Sequence, residues 1–226
     1  MEKDNAGEFM LYVQDRELVI PGQLIGEKIR HDINCFHEGD SVFSSIHGIA
    51  RVENDRVRVI PSAGWYVPKE GDVVIGVVTN ILPGRWAVDI RSPYLCTLRG
   101  EEVTRDPLSV DLSRYFKVGD IISAKISMVD EVHSCQTTGP WKLEKGIIID
   151  VNPKRVPRVV GKKRSMLNII KEKTGCKIVV GQNGWIWIKD KQTELVIKTI
   201  KKVEREAQTH GLTDRITGML DKTLGK

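Results

Sequence analysis

The chain has 226 residues, with 35 Lys and Arg against 30 Asp and Glu, for a formal net charge of +5. A compact fold of this size buries roughly 70% of its unfolded surface, so it needs no staples, and its four cysteines are widely spaced with no CxxC pair. Its longest apolar runs, such as Val73 to Val78, fall far short of the ~20 residues that a membrane span requires, which predicts a soluble, cytoplasmic protein with reduced cysteines.

The charge is unevenly distributed. Residues 1–140 hold 15 basic and 21 acidic side chains, net −6, while residues 141–226 hold 20 and 9, net +11. A concentrated positive field favours a polyanionic partner and binding that weakens with salt. A solvated helix face is the plainer reading of such charge, so the decision falls to the motifs.

In chain order, MEKDNAGE is polar and predicts a frayed start. Phe9 to Ile20 includes a strand-like apolar stretch turned by Pro21-Gly22. Ser41 to Val52, a turn at Glu53-Asn54-Asp55, and Arg56 to Pro61 read as a hairpin, with Val57 and Val59 on one face and Arg56, Arg58 and Ile60 on the other. Residues 1–65 therefore predict a small β domain. Within it His31, Cys35 and His37 carry metal-type donors, but H-x3-C-x-H is not a recognised zinc spacing. Loop polarity is the preferred reading, and no metal or other cofactor is expected.

From Tyr66 to Thr138, five apolar runs punctuated by Gly and Pro predict a small barrel. GDVVIGVV opens it, and the remaining runs are Trp86 to Arg91, Tyr94 to Leu98, Ile121 to Val129 and Val132 to Thr138. Glu101, Glu102, Asp106 and Asp111 could suggest a metal-dependent hydrolase, but no histidine or nucleophile accompanies them in a recognisable pattern. They read as a solvated connection. Gly71-Asp72-Val73, Trp86-Ala87-Val88-Asp89-Ile90 and Val118-Gly119-Asp120-Ile121 resemble an S1-type OB fold. That resemblance implies RNA carried on aromatic and basic side chains, here Arg85, Trp86, Arg91, Tyr94, Arg99 and Lys125; Trp86 shares a strand face with Val88 and Ile90, so core packing is the alternative for it.

Gly139-Pro140 reads as a linker, followed by a third unit over 141–226. A strand is predicted at Gly146 to Val151. Lys154, Arg155, Arg158, Lys162, Lys163 and Arg164 then put six cations beside a loop, which suits phosphate contact. Arg158 to Val160 reads as β-prone, Ser165 as a helix N-cap, Met166 to Ile170 as a helical stripe and Gly175 as its C-cap. Cys176 to Val180 and Trp185 to Ile188 are strand-like and flank a second glycine loop, Gly181-Gln182-Asn183-Gly184. Val196, Ile200, Val203 and Ala207 keep helical spacing over Lys191 to Gln208, with Gly211 as the end and a short helix beyond.

This last unit resembles a KH domain, α+β in class. The resemblance implies a GXXG loop against the nucleic-acid backbone, here Gly161-Lys162-Lys163-Arg164, with Arg164 where the second glycine would fall. GQNG reads as a structural turn that packs the KH unit against the barrel, with Asn183 bonding local backbone. Small β domain, S1-type barrel and KH-type domain in this order resemble the RNA-binding cap subunits of archaeal exosomes. VRVIP at 57–61, VNPKRVPRVVGKK at 151–163 and VVGQNGWIWI at 179–188 carry the match. The family likeness implies a non-catalytic, homotrimeric cap that binds single-stranded RNA and sits through its N-terminal domain on a ring of phosphorolytic exoribonuclease subunits. A free-standing S1/KH protein of the translation machinery is the alternative.

Overall fold

The computed structural model describes residues 9–62, 64–207, 209 and 211–225, in two compact units, Met1–Gly64 and Trp65–Lys226. The reading of MEKDNAGE as frayed lies outside the described residues, as does Gln208.

The first unit contains β1 (Met10–Leu11), β2 (Leu18–Val19), β3 (Leu24–Glu27), β4 (Arg30–His31), β5 (Cys35–Glu38), β6 (Ser41–Ser44), β7 (Gly48–Glu53) and β8 (Arg56–Pro61). They form two four-stranded sheets, ordered β1-β3-β6-β5 and β2-β7-β8-β4. Both sheets contribute to one core of Val19, Ile25, Val42, Ala50, Val57 and Val59. Strand alternation puts Val57 and Val59 inside and Arg56, Arg58 and Ile60 outside, as the sequence predicts. His31 Nε2 lies 3.2 Å from His37 Nδ1, and burial pushes the Cys35 thiol pKa up. Among the described residues no group of three or more His, Cys, Asp and Glu side chains is placed to hold a metal ion.

The second unit opens with a closed barrel of β9 (Val73–Leu82), β10 (Arg85–Asp89), β11 (Cys96–Arg99), β12 (Ile121–Val129) and β13 (Cys135–Lys142), in the order β10-β11-β13-β12-β9. Val74, Val78, Trp86, Leu98, Ile122 and Ile126 fill it. Gly139-Pro140 is not a linker but part of β13. The register shifts there, from Lys125 opposite Thr138 to Ser123 opposite Trp141. Such a bulge admits a proline, which has no N–H to give to the ladder.

The rest of the unit is β14 (Ile147–Asp150), α1 (Val156–Val160), α2 (Ser165–Thr174), β15 (Lys177–Val180), β16 (Trp185–Lys189), α3 (Thr193–Arg205) and α4 (Leu212–Leu224). Its sheet runs β14-β16-β15. On one face Ile178, Ile186 and Ile188 meet Val159, Ile170, Ile200 and Ile216 from the helices. On the other, Ile148, Val179, Trp185 and Trp187 meet Ile75, Ile121 and Leu143 from the barrel side. The central strand β16 is covered on both faces, which accounts for the unbroken apolar run Trp185 to Ile188.

Three local expectations change here. Arg158 to Val160 is the end of helix α1, not a strand, because Pro157 starts the turn and Val156 and Val159 bury on one side. Ser165 does not cap α2; Arg164 holds the cap position in a left-handed conformation, with no side-chain cap bond. Gly211 precedes α4 as its N-cap, and α4 matches α3 in length at 13 residues. Gly175 does close α2, at φ 68°.

Candidate nucleic-acid interface

The GQNG turn does the work of a missing strand. Pairing between β10 and β9 stops at Asp89 opposite Val77. Beyond that point Asn183 takes over: its Oδ1 accepts from the Ile75 N–H (3.2 Å), and its Nδ2 donates to the Ile75 carbonyl (2.7 Å) and the Ile90 carbonyl (2.9 Å). Gln182 does the same for Val73, donating its backbone N–H to the Val73 carbonyl (2.9 Å) and accepting the Val73 N–H on Oε1 (3.1 Å). The loop thus continues the barrel's hydrogen-bond ladder. Asn183 is fully buried, so its three bonds are formed away from water, where an unmade one is costly. Gly181 must be glycine because a Cβ would stand 2.8 Å from the Ile75 nitrogen and 2.2 Å from Asn183 Oδ1. Gly184 sits at φ 91°, and a Cβ there would lie 2.2 Å from the Val151 carbonyl oxygen.

Two predicted RNA contacts also make bonds inside the protein. Arg91 pairs with the Asp150 carboxylate and donates to the Val151 carbonyl at 3.4 Å, tying the barrel to the KH sheet. Arg155 donates to the Glu204 carbonyl at 2.9 Å, holding the chain before α1 against α3. Trp86 is a further correction. It is 0% exposed, its Nε1 donates to the Phe116 carbonyl at 3.0 Å, and its ring meets Phe116 edge-on. Inside the barrel it has no free face for a base.

The other candidates are at the surface. Arg85 and Arg99 are exposed and directly opposite each other on β10 and β11. Like charges facing across strands repel unless an anion joins them. Lys125, Lys154, Arg158, Lys162, Lys163 and Arg164 are also exposed, and none is in an ion pair among the described residues. Tyr94 is half-buried, its ring edge-on to His133 at 4.9 Å.

The GKKR loop keeps the shape of a glycine loop although only its first glycine remains. Gly161 has φ 75°, and a Cβ there would lie 2.7 Å from the Met166 nitrogen. Lys163 and Arg164 follow at φ 51° and 64°, a conformation uncommon for such side chains. Between this loop and the barrel lies a cleft of about 780 Å³, lined by Gly161, Arg164, Lys171 and Val180 on the KH side and Tyr66, Lys69 and Asp72 on the other. The Tyr66 hydroxyl donates to Asp72 at 2.7 Å, and burial together with that carboxylate pushes the phenol pKa up. Sequence reasoning missed this wall; its only signal was that Tyr66 and Gly71-Asp72 immediately precede the first barrel strand.

The acidic connection has local uses. Asp111 accepts from the Ser113 N–H (3.0 Å) and hydroxyl (2.9 Å), which lowers its carboxyl pKa. Glu102 accepts from the Thr138 hydroxyl and from the Gly139 N–H at 3.3 Å.

A closed five-stranded S1 barrel locked to a KH fold places the chain in the S1–KH class. Residues 65–128 match the family described as RRP4, S1 domain, and residues 146–194 match the KH domain family. Exosome complex component Rrp4 of Pyrococcus furiosus is 42% identical over 93% of this chain and 84% of its own length. The component of the same name from Methanothermus fervidus is 40% identical over 95% of this chain and 100% of its own. A crystal structure provisionally described as an exosome complex RNA-binding protein aligns at TM-score 0.62 and 37% identity, over 70% of this chain and 97% of that one. The chain belongs to the Rrp4 family of exosome components.

Proposed function

We propose that this chain is a non-catalytic RNA-binding cap subunit. Three copies sit on a ring of phosphorolytic exoribonuclease subunits, capture single-stranded RNA and pass its 3′ end to the ring. The observation that carries the reading is that the likeness to exosome components runs through the first unit, the barrel and the KH fold together. The unpaired cations support RNA capture: Arg85, Arg99 and Lys125 on the barrel, and Lys154, Arg158 and Lys162 to Arg164 on the KH fold, meet phosphates largely without reading sequence. Weak contacts repeated on three subunits raise the effective concentration of RNA at the pore. Two acids of the connection are engaged within the fold, Asp111 as a cap and Glu102 against β13, which supports a chain without nuclease activity of its own.

The first unit supports docking onto protein. Leu18, Ile49 and Ile60 are register partners across β2, β7 and β8, so they form one apolar row, and Leu18 and Ile60 are 47% and 42% exposed. Copurification tests the whole reading: the chain should elute with a six-membered nuclease ring and bind single-stranded RNA with a steep salt dependence. Leu18→Asp with Ile60→Asp should release it from the ring while leaving its own RNA affinity intact. A chain that binds RNA but never joins the ring would instead be a free-standing RNA-binding protein. Phosphate-dependent RNA degradation by the isolated chain would make it an enzyme.

A further inference from the structure

The barrel's one exposed tryptophan on a regular strand has no role in the contacts described so far. Trp141 lies near the end of β13, opposite Ser123, and is 73% exposed. Its exposure is set by a hydrogen-bonded strand rather than by a loose tail. It borders a cleft of about 570 Å³, where the barrel flank and the KH sheet diverge beyond their shared apolar cluster; Lys171, Lys177, Val179 and Trp187 line the other side. A cleft of that size accepts a nucleotide.

The charges in this cleft leave a positive excess. Lys142 is paired with Asp120 and Glu144 with Lys189. Lys171 and Lys177 have no ion-pair partner among the described residues. Burial, and then the charge of Arg164, depress the Lys171 pKa, as is expected of a cation facing cations with no acid beside it. Lys171 also lines the cleft under the GKKR loop, so the two clefts adjoin along β15. β15 is the outer strand of its sheet, and Lys177 and Val179 fall on its barrel-facing side.

We propose that this cleft is a second single-stranded RNA site, in which one base stacks on the Trp141 indole while Lys177 and Lys171 hold the adjoining phosphates. An accessible π face beside unpaired ammonium groups matches that ligand: any base can stack, and any phosphate can pair. A protein partner would find an open tryptophan but also two lysines without an ion-pair partner to desolvate, with only Glu144 acting on Lys177 across the cleft, which favours the polyanion. The site would extend the RNA path from the KH loop across the barrel flank, and the proposal rests on the RNA-capture reading above.

The test is fluorescence anisotropy of a 5′-labelled single-stranded oligoadenylate with the full chain at fixed low salt. Trp141→Ala and Trp141→Leu should each weaken binding roughly tenfold, within the ~5- to 150-fold that one stacked base is worth, while Trp141→Tyr retains most of the affinity. Lys177→Gln should weaken binding and reduce the slope of log affinity against log salt by about 0.7. Wild-type affinity in both Trp141→Ala and Trp141→Leu would overturn the site, as would Trp141→Ala changing ring association or self-association while RNA binding stays the same. A wild-type chain that binds no RNA would refute the capture function itself, so the two failures can be told apart.

Discussion

Replacing Asn183 with alanine should damage folding more than RNA binding. The substitution removes three hydrogen bonds to Ile75 and Ile90 from a fully buried position. If water enters the vacated space, each bond is lost at its net worth of ~1 kcal/mol, about 3 kcal/mol together; if the space stays dry, the stranded backbone groups carry the cost towards ~6 kcal/mol. For a unit of this size, ~3 kcal/mol lowers the melting temperature by about 6–12 °C. Differential scanning calorimetry of the full chain reads this directly, and Asn183→Asp should do no better, because a carboxylate keeps the acceptor but loses both donated bonds. A variant that melts within ~2 °C of wild type yet loses RNA affinity would refute the argument and make Asn183 a ligand contact.

Trp86→Ala should destabilise by about 3–5 kcal/mol through the cavity it opens in the barrel, with RNA affinity unchanged in the fraction that stays folded, as denaturant titration and anisotropy would show. Replacing Lys162, Lys163 and Arg164 together with alanine should leave the melting temperature close to wild type while reducing the salt slope of RNA binding by up to about 2; an unchanged slope would remove the loop from the interface. Burial pushes the Asp120 carboxyl up, but the bonds from Lys142 and from the Lys117 N–H outweigh it, leaving a net depressed pKa. A depressed carboxyl stabilises the fold fully above its unfolded pKa of about 4, and that contribution is lost as pH falls through the lower folded value. In Lys142→Gln the Asp120 carbon resonance should therefore titrate at higher pH, and the small acid-range stability term should shrink.

The sequence shows most of the fold because its strands are bounded by Gly and Pro and its helices keep a strong apolar period. What it hides is where one environment replaces another. Val156 to Val160 is too short for periodicity to separate strand from buried helix, and Pro157 fits either reading. Gly139-Pro140 looks like punctuation, and only the pairing register shows a bulge there. The interface was half legible. GQNG stands out as a turn, but the ladder it completes belongs to residues more than ninety positions away. Trp86 and Trp141 look alike as letters. One lies inside the barrel with Val88 and Ile90 from its own strand face, the core alternative that alternation offers, and the other lies outside on a strand whose pattern gives no such sign. Arg91 and Arg155 likewise look like free side chains until the structure shows the internal bonds each makes.

The stand-in ladder at Val73 and Ile75 also sets the smallest piece of this protein that can be handled alone. A barrel cut away after Lys142 would keep its strands but leave five backbone groups unanswered, four of them at Val73 and Ile75, an open edge on which other chains can add strands. Its expected behaviour is to cling and aggregate rather than to report the RNA affinity of an isolated S1 domain. The compact unit Trp65–Lys226 carries both the barrel and the turn that seals it.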